Sequence, residues 1–402
     1  MEELKQAKEE INKEAVEPAH FNIPKKSKKK IIIFCVIGAI VFGLAFGITI
    51  WMVKGGGSKL LAGILPTPTI TSTATATPTP YANSPINGVR VSVGVEKKHP
   101  LGVMIENHTD ARPQYGLSKA DLVYESMTEG NISRMLAIFQ TQNIETLGPV
   151  RSARTYFVDW CQDYNCIYAH CGGNEDSWAK IDNDGILDLN EFFFGGYFWR
   201  DYNNYFAPHN LFTSTEKLYQ AAKDQNWAVN DADFGAWEFK DEGGNQLSVT
   251  SSQKENKKTT PASPTATPEP LKQIVRINYS TDPYYSFYYE YDAANNVYKR
   301  FDANGNAQMD ALDNSQVAPK NLVVMTVERW FLNDYEGGWA MQTVGEGSAK
   351  FFIDGKETTG KWVKNSSKER TQFYDDAGNK IVFNRGQIWI NIVPPDIGVV
   401  VE

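Results

Sequence analysis

The pattern of hydrophobic and polar residues divides the chain into parts with different predicted structures. Residues 31–53 form an uncharged, mostly apolar run, and a membrane-spanning helix needs roughly 20 such residues. Residues 86–250 alternate short apolar runs with helical periods, whereas residues 271–402 contain strand-like runs separated by turns. The Thr/Pro-rich segment 54–85 and the Pro/Lys-rich segment 251–270 hold too few apolar residues to form a core. We therefore predict an extracellular spacer and a linker there.

The first folded part, residues 86–250, is predicted to be an α/β sandwich. A helical period covers residues 152–163 and begins at Ser152, a residue type that favours helix N-termini. The segment Thr213-Ser214-Thr215-Glu216 is a capping box that predicts a second helix to about residue 225. Short apolar runs predict buried strands at 101–105, 122–124, 136–139 and 166–170.

The second folded part, residues 271–402, is predicted to be a mostly β module. Turn signals such as Asp354-Gly355 separate its apolar runs. The runs predict strands at 274–279, 284–291, 322–329, 351–354, 361–363, 372–374 and 387–393. The predicted fold class is an α/β sandwich domain followed by a mostly β C-terminal module, behind an N-terminal transmembrane helix.

The charges beside the apolar run predict its orientation in the membrane. Five lysines lie between residues 25 and 30, so the positive-inside rule places residues 1–30 in the cytoplasm and the folded parts outside the plasma membrane. A cleaved signal peptide is the alternative, but the run ends in Trp51-Met52-Val53-Lys54 rather than in small residues. A lipid anchor is not expected, because Ile64 stands where Leu60-Leu61-Ala62-Gly63 would require a cysteine. We predict a single-pass protein.

Composition excludes several classes of protein. The chain has 402 residues and a net charge of −8, which argues against nucleic-acid binding. Four cysteines are too few for a disulfide scaffold. No motif indicates a cofactor.

Four arginines in turns and at strand ends are the candidate binding residues: Arg112, Arg134, Arg151 and Arg154. Arginine holds its charge at any biological pH, and its fork of donors fits phosphate or carboxylate. Arg151 and Arg154 flank Ser152, at the predicted start of a helix whose free amides also attract anions. We therefore predict a ligand-binding site formed by the four arginines and Ser152. The alternative is that the arginines form internal ion pairs with Glu106, Asp121, Glu125 and Glu129.

Two residues are catalytic candidates, and no metal site is expected. Asp121 opens a predicted strand, and His209 could act as an acid or base, although no nucleophile motif accompanies it. Residues 180–191 approach the spacing of a calcium-binding loop. Lys180 occupies the first ligand position, where its positive charge opposes the ion, so we predict an acidic turn.

Several of these residues lie in segments that carry a family resemblance. The segments are Pro-Leu-Gly-Val-Met-Ile-Glu-Asn at 100–107, Ala-Arg-Pro-Gln at 111–114, Gly-Leu-Ser-Lys-Ala-Asp at 116–121, Gly-Pro-Val-Arg-Ser-Ala-Arg at 148–154, His-Cys-Gly-Gly at 170–173, Tyr-Phe-Trp-Arg-Asp at 197–201 and Ala-Pro-His-Asn at 207–210. In this order they resemble the YerB-like family of bacterial envelope proteins, a domain of unknown function with N- and C-terminal parts. Gly-Lys-Trp at 360–362 and Gly-Gln-Ile-Trp-Ile at 386–390 fit its C-terminal part.

The resemblance implies an extracytoplasmic, membrane-tethered protein, often a lipoprotein, and it implies no established activity. Here a predicted transmembrane helix and spacer replace the lipid anchor. Our leading hypothesis is that the arginine group binds an anionic wall-related ligand or partner. One alternative is a phosphotransferase or hydrolase acting on lipid-linked or wall glycan precursors, and another is a scaffold for cell-wall machinery. The expected partners are the membrane and a cell-wall polymer or a protein of the wall machinery.

Overall fold

Short strands and helices make up the computed structural model, which describes residues 80–241, 273–332 and 338–402. Within these ranges the α-helices are α1 (Thr155–Gln162), α2 (Glu175–Asp184), α3 (Glu191–Phe194) and α4 (Thr215–Asp224). The strands up to residue 241 are β1 (Tyr81–Asn83), β2 (Arg90–Ser92), β3 (Leu101–Glu106), β4 (Leu122–Met127), β5 (Ser133–Phe139), β6 (Ile167–His170), β7 (Leu187–Asn190), β8 (Trp199–Arg200), β9 (Leu211–Phe212) and β10 (Glu238–Phe239). The later strands are β11 (Ile274–Ile277), β12 (Phe287–Asp292), β13 (Val297–Asp302), β14 (Asn321–Thr326), β15 (Arg329–Phe331), β16 (Trp339–Met341), β17 (Gly345–Ile353), β18 (Lys356–Lys364), β19 (Gln372–Asp375), β20 (Val382–Phe383), β21 (Ile388–Val393) and β22 (Val399–Val401).

A mixed ten-stranded sheet contains strands from both halves of the chain. Its strand order is β19-β18-β17-β14-β21-β4-β5-β3-β6-β7. β21 pairs in parallel with β4, with Ile388 beside Leu122 and Ile392 beside Ser126. Every residue of β3, β4, β5 and β21 is buried, as expected for strands covered on both faces. The two halves therefore meet in continuous hydrogen-bonded β structure.

One face of this sheet packs against α4 and a second sheet. Successive side chains of a strand point to opposite faces, so Val103 and Val123 share a face and contribute to one core. Leu218 of α4 belongs to the same core. So do Val275 and Tyr289 from the antiparallel four-stranded sheet, whose order is β13-β12-β11-β22. Both halves of the chain supply this core.

The other face packs mainly against α1. Met104 and Tyr124 point to this side and share a core with Trp160. The Trp160 ring stacks on the Tyr124 ring at a centroid distance of 5.4 Å and an interplanar angle of 3°. Ile181 of α2 joins the same core. Large aromatic contacts of this kind fix α1 to the sheet and thereby position its N-terminus.

Helix α1 begins three residues later than the sequence pattern predicts. Arg154, not Ser152, is the N-cap residue, and the helix starts at Thr155. The preceding segment is extended because its backbone bonds to neighbouring strands and loops. The amide of Arg151 donates to the carbonyl of Met104 at 2.9 Å, and that of Ala153 donates to Gly172 at 3.0 Å. Tertiary hydrogen bonds thus override the local preference of Ser152 for a cap position.

The remaining element predictions agree with the structure in type and order. The mostly β C-terminal part is confirmed, and Ser214 caps α4 by accepting a 3.2 Å hydrogen bond from the Lys217 amide. The prediction of an α/β sandwich for the first part is confirmed only in part, because its strands do not form a separate sheet. Five of its strands are continued by five strands of the second part into one sheet.

The predicted membrane helix at residues 31–53, the linker at 251–270 and residues 54–79 of the predicted spacer lie outside the described residues. The last residues of the predicted spacer are described, and Tyr81–Asn83 form β1. In the ranges that the structure does describe, no helix combines the length and the apolar character needed to cross a membrane.

Candidate functional site

The arginines predicted to bind a ligand come together mainly where β3 ends and β5 begins. Glu106, the last residue of β3, lies beside Arg134 in the antiparallel register of these strands. The loop 148–154 runs along the end of β3, since the Glu106 amide donates to the carbonyl of Pro149 at 2.9 Å. This contact, with the bond from Arg151 to Met104, brings the Arg151 side chain next to Glu106.

Glu106 is a buried carboxylate shared by two basic side chains. Its Oε1 atom lies 3.0 Å from Nε of Arg151 and 3.0 Å from Nδ1 of His209. Its Oε2 atom is also buried and has no hydrogen-bond partner in the described part of the chain. A buried carboxylate oxygen without a donor is costly unless another group binds there. The Oε2 atom of Glu106 can therefore still accept a hydrogen bond or contact a cation.

Arg134 and Arg154 lie beside this carboxylate and differ in their partners. Arg154 donates from Nε to Oε1 of Glu129 at 2.6 Å and from Nη2 to Oε2 at 2.7 Å, the bidentate geometry that arginine and carboxylate favour. Arg134 is buried, and within the described residues the one hydrogen bond of its side chain goes from Nη1 to the carbonyl of Ser152 at 2.8 Å. Burial, followed by the charge of Arg154, lowers the pKa of Arg134 to about 10, so it remains protonated at neutral pH. We call Arg134, Arg151 and Arg154 the arginine cluster.

The cluster carries more positive than negative charge. Its three guanidinium groups face two carboxylates, those of Glu106 and Glu129. The N-terminus of α1 follows directly after Arg154, whose side chain makes no capping hydrogen bond to it. Helix N-termini carry partial positive charge and attract anions. Arg134, Arg151, Arg154 and the α1 terminus thus form an electropositive, largely buried centre.

Arg112 and Ser152 take positions different from those expected. Arg112 bonds to the Asn107 carbonyl at 2.7 Å and to the Tyr284 carbonyl at 2.8 Å, and it lies 5.1 Å from the Phe287 ring centroid. These contacts direct Arg112 toward the four-stranded sheet rather than toward the arginine cluster. Ser152 takes part through its backbone carbonyl, which accepts the bond from Arg134.

Asp121 lies at the opposite end of β4 from the arginine cluster. Its carboxylate accepts hydrogen bonds from Asn87 Nδ2 and from the hydroxyl and amide of Thr141, and from the Gln140 amide. Burial raises the pKa of Asp121 even though these bonds oppose the shift. The surroundings are those of a buried carboxylate that ties loops together.

The structure adds two residues that the sequence reasoning missed, His108 and Asp110. The His108 ring stacks on the His209 ring at a centroid distance of 4.5 Å and an interplanar angle of 13°. The ligand atoms of His108, Asp110 and His209 lie within 4.8 Å of one another. A usable signal was present: Asn107-His108-Thr109-Asp110 is a polar run directly after a buried strand, where functional loops concentrate.

The calcium-like spacing at residues 180–191 belongs to ordinary secondary structure. Asp182 and Asp184 are the last turn of α2, and Gly185 ends that helix with a φ of 68°. Lys180 bonds to Asp159 at 2.8 Å and to Asp184 at 2.9 Å. These acidic residues are thus distributed over a helix end and the strand that follows.

Two family models match the chain. The model described as the N-terminal domain of a protein of unknown function (DUF3048) matches residues 87–228, and the model of its C-terminal domain matches residues 275–390. The arginine cluster, Glu106 and His209 all lie in the first range.

A relative and a solved structure extend the match over most of the chain. A Bacillus subtilis (strain 168) protein named "Putative lipoprotein YerB" is 31% identical over 314 residues, which are 77% of this chain and 86% of the relative. The crystal structure of the YerB protein from Bacillus subtilis is similar with a TM-score of 0.66 and 28% identity, and the match covers 79% of this chain and 99% of that one.

Proposed function

The chain belongs to the DUF3048 family, as its resemblance to YerB-like proteins indicated, and from this premise we propose that it is a membrane-anchored, extracytoplasmic envelope protein. We propose that the arginine cluster binds an anionic wall-related ligand, carried by a cell-wall polymer or by a protein of the wall machinery. The similar Bacillus subtilis protein is named as a lipoprotein, which supports membrane association. In this chain the apolar run at residues 31–53 would provide the anchor.

The observation that carries the binding proposal is the state of Arg134. It is a buried cation whose hydrogen bond goes to a neutral carbonyl, and the nearby carboxylate of Glu129 is held by Arg154. A buried charge without a bonded counter-ion is strongly unfavourable, since the loss of one partner from a buried pair costs about 3–5 kcal/mol. An anion at Arg134 and Arg151 would supply the missing negative charge.

The test is anion titration of the purified full-length chain in detergent. Inorganic pyrophosphate and a soluble teichoic acid serve as probes, and calorimetry measures their affinity. Arg151→Gln is the informative variant because Arg151 is partly exposed, so its loss should spare the fold. We expect its affinity to fall by about tenfold or more, since a hydrogen bond to a charged group contributes about 1.5–3 kcal/mol.

Arg276→Gln is the matched control. Arg276 is also a partly exposed arginine paired with a carboxylate, Glu402, at 3.0 Å, but it lies in β11 of the four-stranded sheet. The control should bind both probes as the wild type does. Equal affinities for wild type, Arg151→Gln and Arg276→Gln would refute the arginine cluster as the binding site.

A phosphotransferase or hydrolase is the second candidate, and the contact between Glu106 and His209 favours it. The closest atoms of Glu106 and His209 are 3.0 Å apart, so a carboxylate and an imidazole, two side-chain types that act as general acids and bases, lie side by side. Turnover of lipid-linked or wall glycan precursors that disappears in His209→Gln but survives in Asp121→Asn would support this function. Loss in Asp121→Asn alone would contradict the placement of the reaction at Glu106.

A further inference from the structure

Two histidines and an aspartate from distant parts of the chain converge beside the arginine cluster. His108 and Asp110 follow β3, whereas His209 precedes β9, and their ligand atoms lie within 4.8 Å of one another. The two imidazole rings are nearly parallel and their centroids are 4.5 Å apart. The stacked rings thus bring two imidazoles and a carboxylate, all of them metal-binding side chains, into one small region.

We propose that His108, Asp110 and His209 form a binding site for a divalent transition-metal ion of the zinc type. Two imidazoles with one carboxylate is a common ligand set for such ions, and three protein ligands leave one coordination position open. In a tetrahedral site with metal–ligand distances of about 2.0–2.2 Å, ligand atoms approach to roughly 3.5 Å. The Asp110 carboxylate is free to move to this distance from the two imidazoles, because its side chain is 61% exposed.

Glu106 has the position of the outer carboxylate in such a site. Its Oε1 atom lies 3.0 Å from Nδ1 of His209, although in the described residues Nδ1 is not aligned for a hydrogen bond. A small rotation of the ring would let Nδ1 donate its proton to Oε1. The other ring nitrogen, Nε2, is then left with its lone pair for a metal ion. Metal-bound histidines almost always have a partner of this kind, and its loss weakens binding by about 10–100-fold. Glu106 is buried and its Oε2 atom has no partner among the residues that the structure describes, which is a second observation that points to this centre.

His108 is held loosely enough to complete the site. Its Nδ1 atom accepts one hydrogen bond, from the Asp110 amide at 3.2 Å, and its side chain is 31% exposed. A small rotation of the ring would exchange this long hydrogen bond for a metal–nitrogen bond. The proposal does not rest on anion binding by the arginine cluster, because the three ligands are separate from the three arginines.

The experiment is titration of the purified full-length chain with Co²⁺, whose visible absorption reports coordination, followed by displacement with Zn²⁺. We expect one saturable site. His108→Ala and His209→Ala should abolish the signal, and Glu106→Gln should weaken binding by about 10–100-fold without changing the stoichiometry. Asp110→Asn is the variant least able to disturb the fold, since Asp110 is exposed, and it should weaken binding at least tenfold.

His99→Gln is the matched control. His99 also bonds to a carboxylate, Asp231, at 3.0 Å, but no second imidazole of the described residues stacks on it. This variant should bind Co²⁺ as the wild type does. The absence of saturable binding by the wild type, or equal binding by the wild type, Asp110→Asn and His108→Ala, would overturn the proposal. Repeating the pyrophosphate titration with EDTA separates the two sites, because anion binding should persist without metal.

Discussion

The carboxylate of Glu125 and the guanidinium of Arg300 lie 2.8 Å apart, and neither side chain is exposed. Glu125 is in β4 of the ten-stranded sheet, and Arg300 is in β13 of the four-stranded sheet. Trp389 donates its indole hydrogen to the same carboxylate at 2.9 Å, and the Arg300 guanidinium lies 3.7 Å from the Phe287 ring centroid. The two sheets are therefore joined by a buried ion pair as well as by apolar packing.

Glu125→Gln is expected to lower the free energy of unfolding by about 3–5 kcal/mol, because it leaves the Arg300 charge buried and unpaired. Urea unfolding measures the change. The control is Glu346→Gln, which removes an exposed pair with Lys361 and should change the free energy of unfolding far less. Similar losses of unfolding free energy in the two variants would contradict a buried, charge-dependent junction between the sheets.

Asp121→Asn should destabilise the fold and leave ligand binding intact. Two of the donors to Asp121 are backbone amides and one is the side-chain amide of Asn87. The NH₂ group of an asparagine at position 121 would face these N–H groups and could not accept their hydrogen bonds. We expect a loss of about 1–3 kcal/mol in the free energy of unfolding. Pyrophosphate and Co²⁺ affinities should match the wild type. A selective loss of binding by a fully stable Asp121→Asn protein would show that Asp121 acts at the site.

Gly148→Ala should perturb the loop that carries Arg151. Gly148 has a φ of 147°, and an added Cβ atom would lie 2.8 Å from the Leu211 carbonyl oxygen. Gly130 also has a positive φ, 68°, but a Cβ atom there would contact nothing within 4 Å. Each alanine incurs about 1–3 kcal/mol of backbone strain, and only Gly148→Ala adds the clash. We expect lower thermal stability and weaker pyrophosphate binding for Gly148→Ala than for Gly130→Ala.

The pair formed by Glu129 and Arg154 should contribute stability that disappears in acid. Burial alone would raise the pKa of Glu129, but the bonds and charge of Arg154 outweigh it and hold this pKa below its usual value. A depressed pKa in the folded state stabilises the protein above the ordinary glutamate pKa of about 4.3. This contribution is lost as the pH falls through the folded-state pKa.

The measurement is urea unfolding of the wild type and Glu129→Gln from pH 7 down to the lowest pH at which both fold. The stability advantage of the wild type should be largest near neutral pH and should shrink below about pH 4.3. An advantage that grew with acidity would contradict the sign of the pKa shift.

Local patterns were sufficient to predict most elements of the fold. Apolar runs predicted β3, β4 and β21, and the capping box predicted α4, because these signals depend on neighbouring residues alone. The start of α1 was misplaced at Ser152, because the extended segment before it is held by hydrogen bonds to Met104 and Gly172. Such long-range bonds leave no trace in the local pattern.

The candidate site was predicted in part for the same reason. Arg134, Arg151 and Arg154 converge because β5 lies beside β3 and the loop 148–154, whereas Arg112 points toward Tyr284, far along the chain. Glu125 was considered as a partner for the arginines of the first part, but its partner is Arg300. The convergence of His108 and His209 is also absent from the prediction, because it depends on how the loop between β8 and β9 packs over the end of β3.

Because β4 pairs with β21, the edge of β4 stays unpaired during synthesis until β21 has been made. β4 leaves the ribosome early, while the strand that covers its edge is made near the C-terminal end of the chain. Until β21 arrives, β4 has a row of unpaired backbone groups beside a buried apolar surface, and such edges readily pair with other chains. Premature termination before residue 388 would therefore remove more than a terminal segment: it would leave the strand that holds Glu125 with an open, aggregation-prone edge.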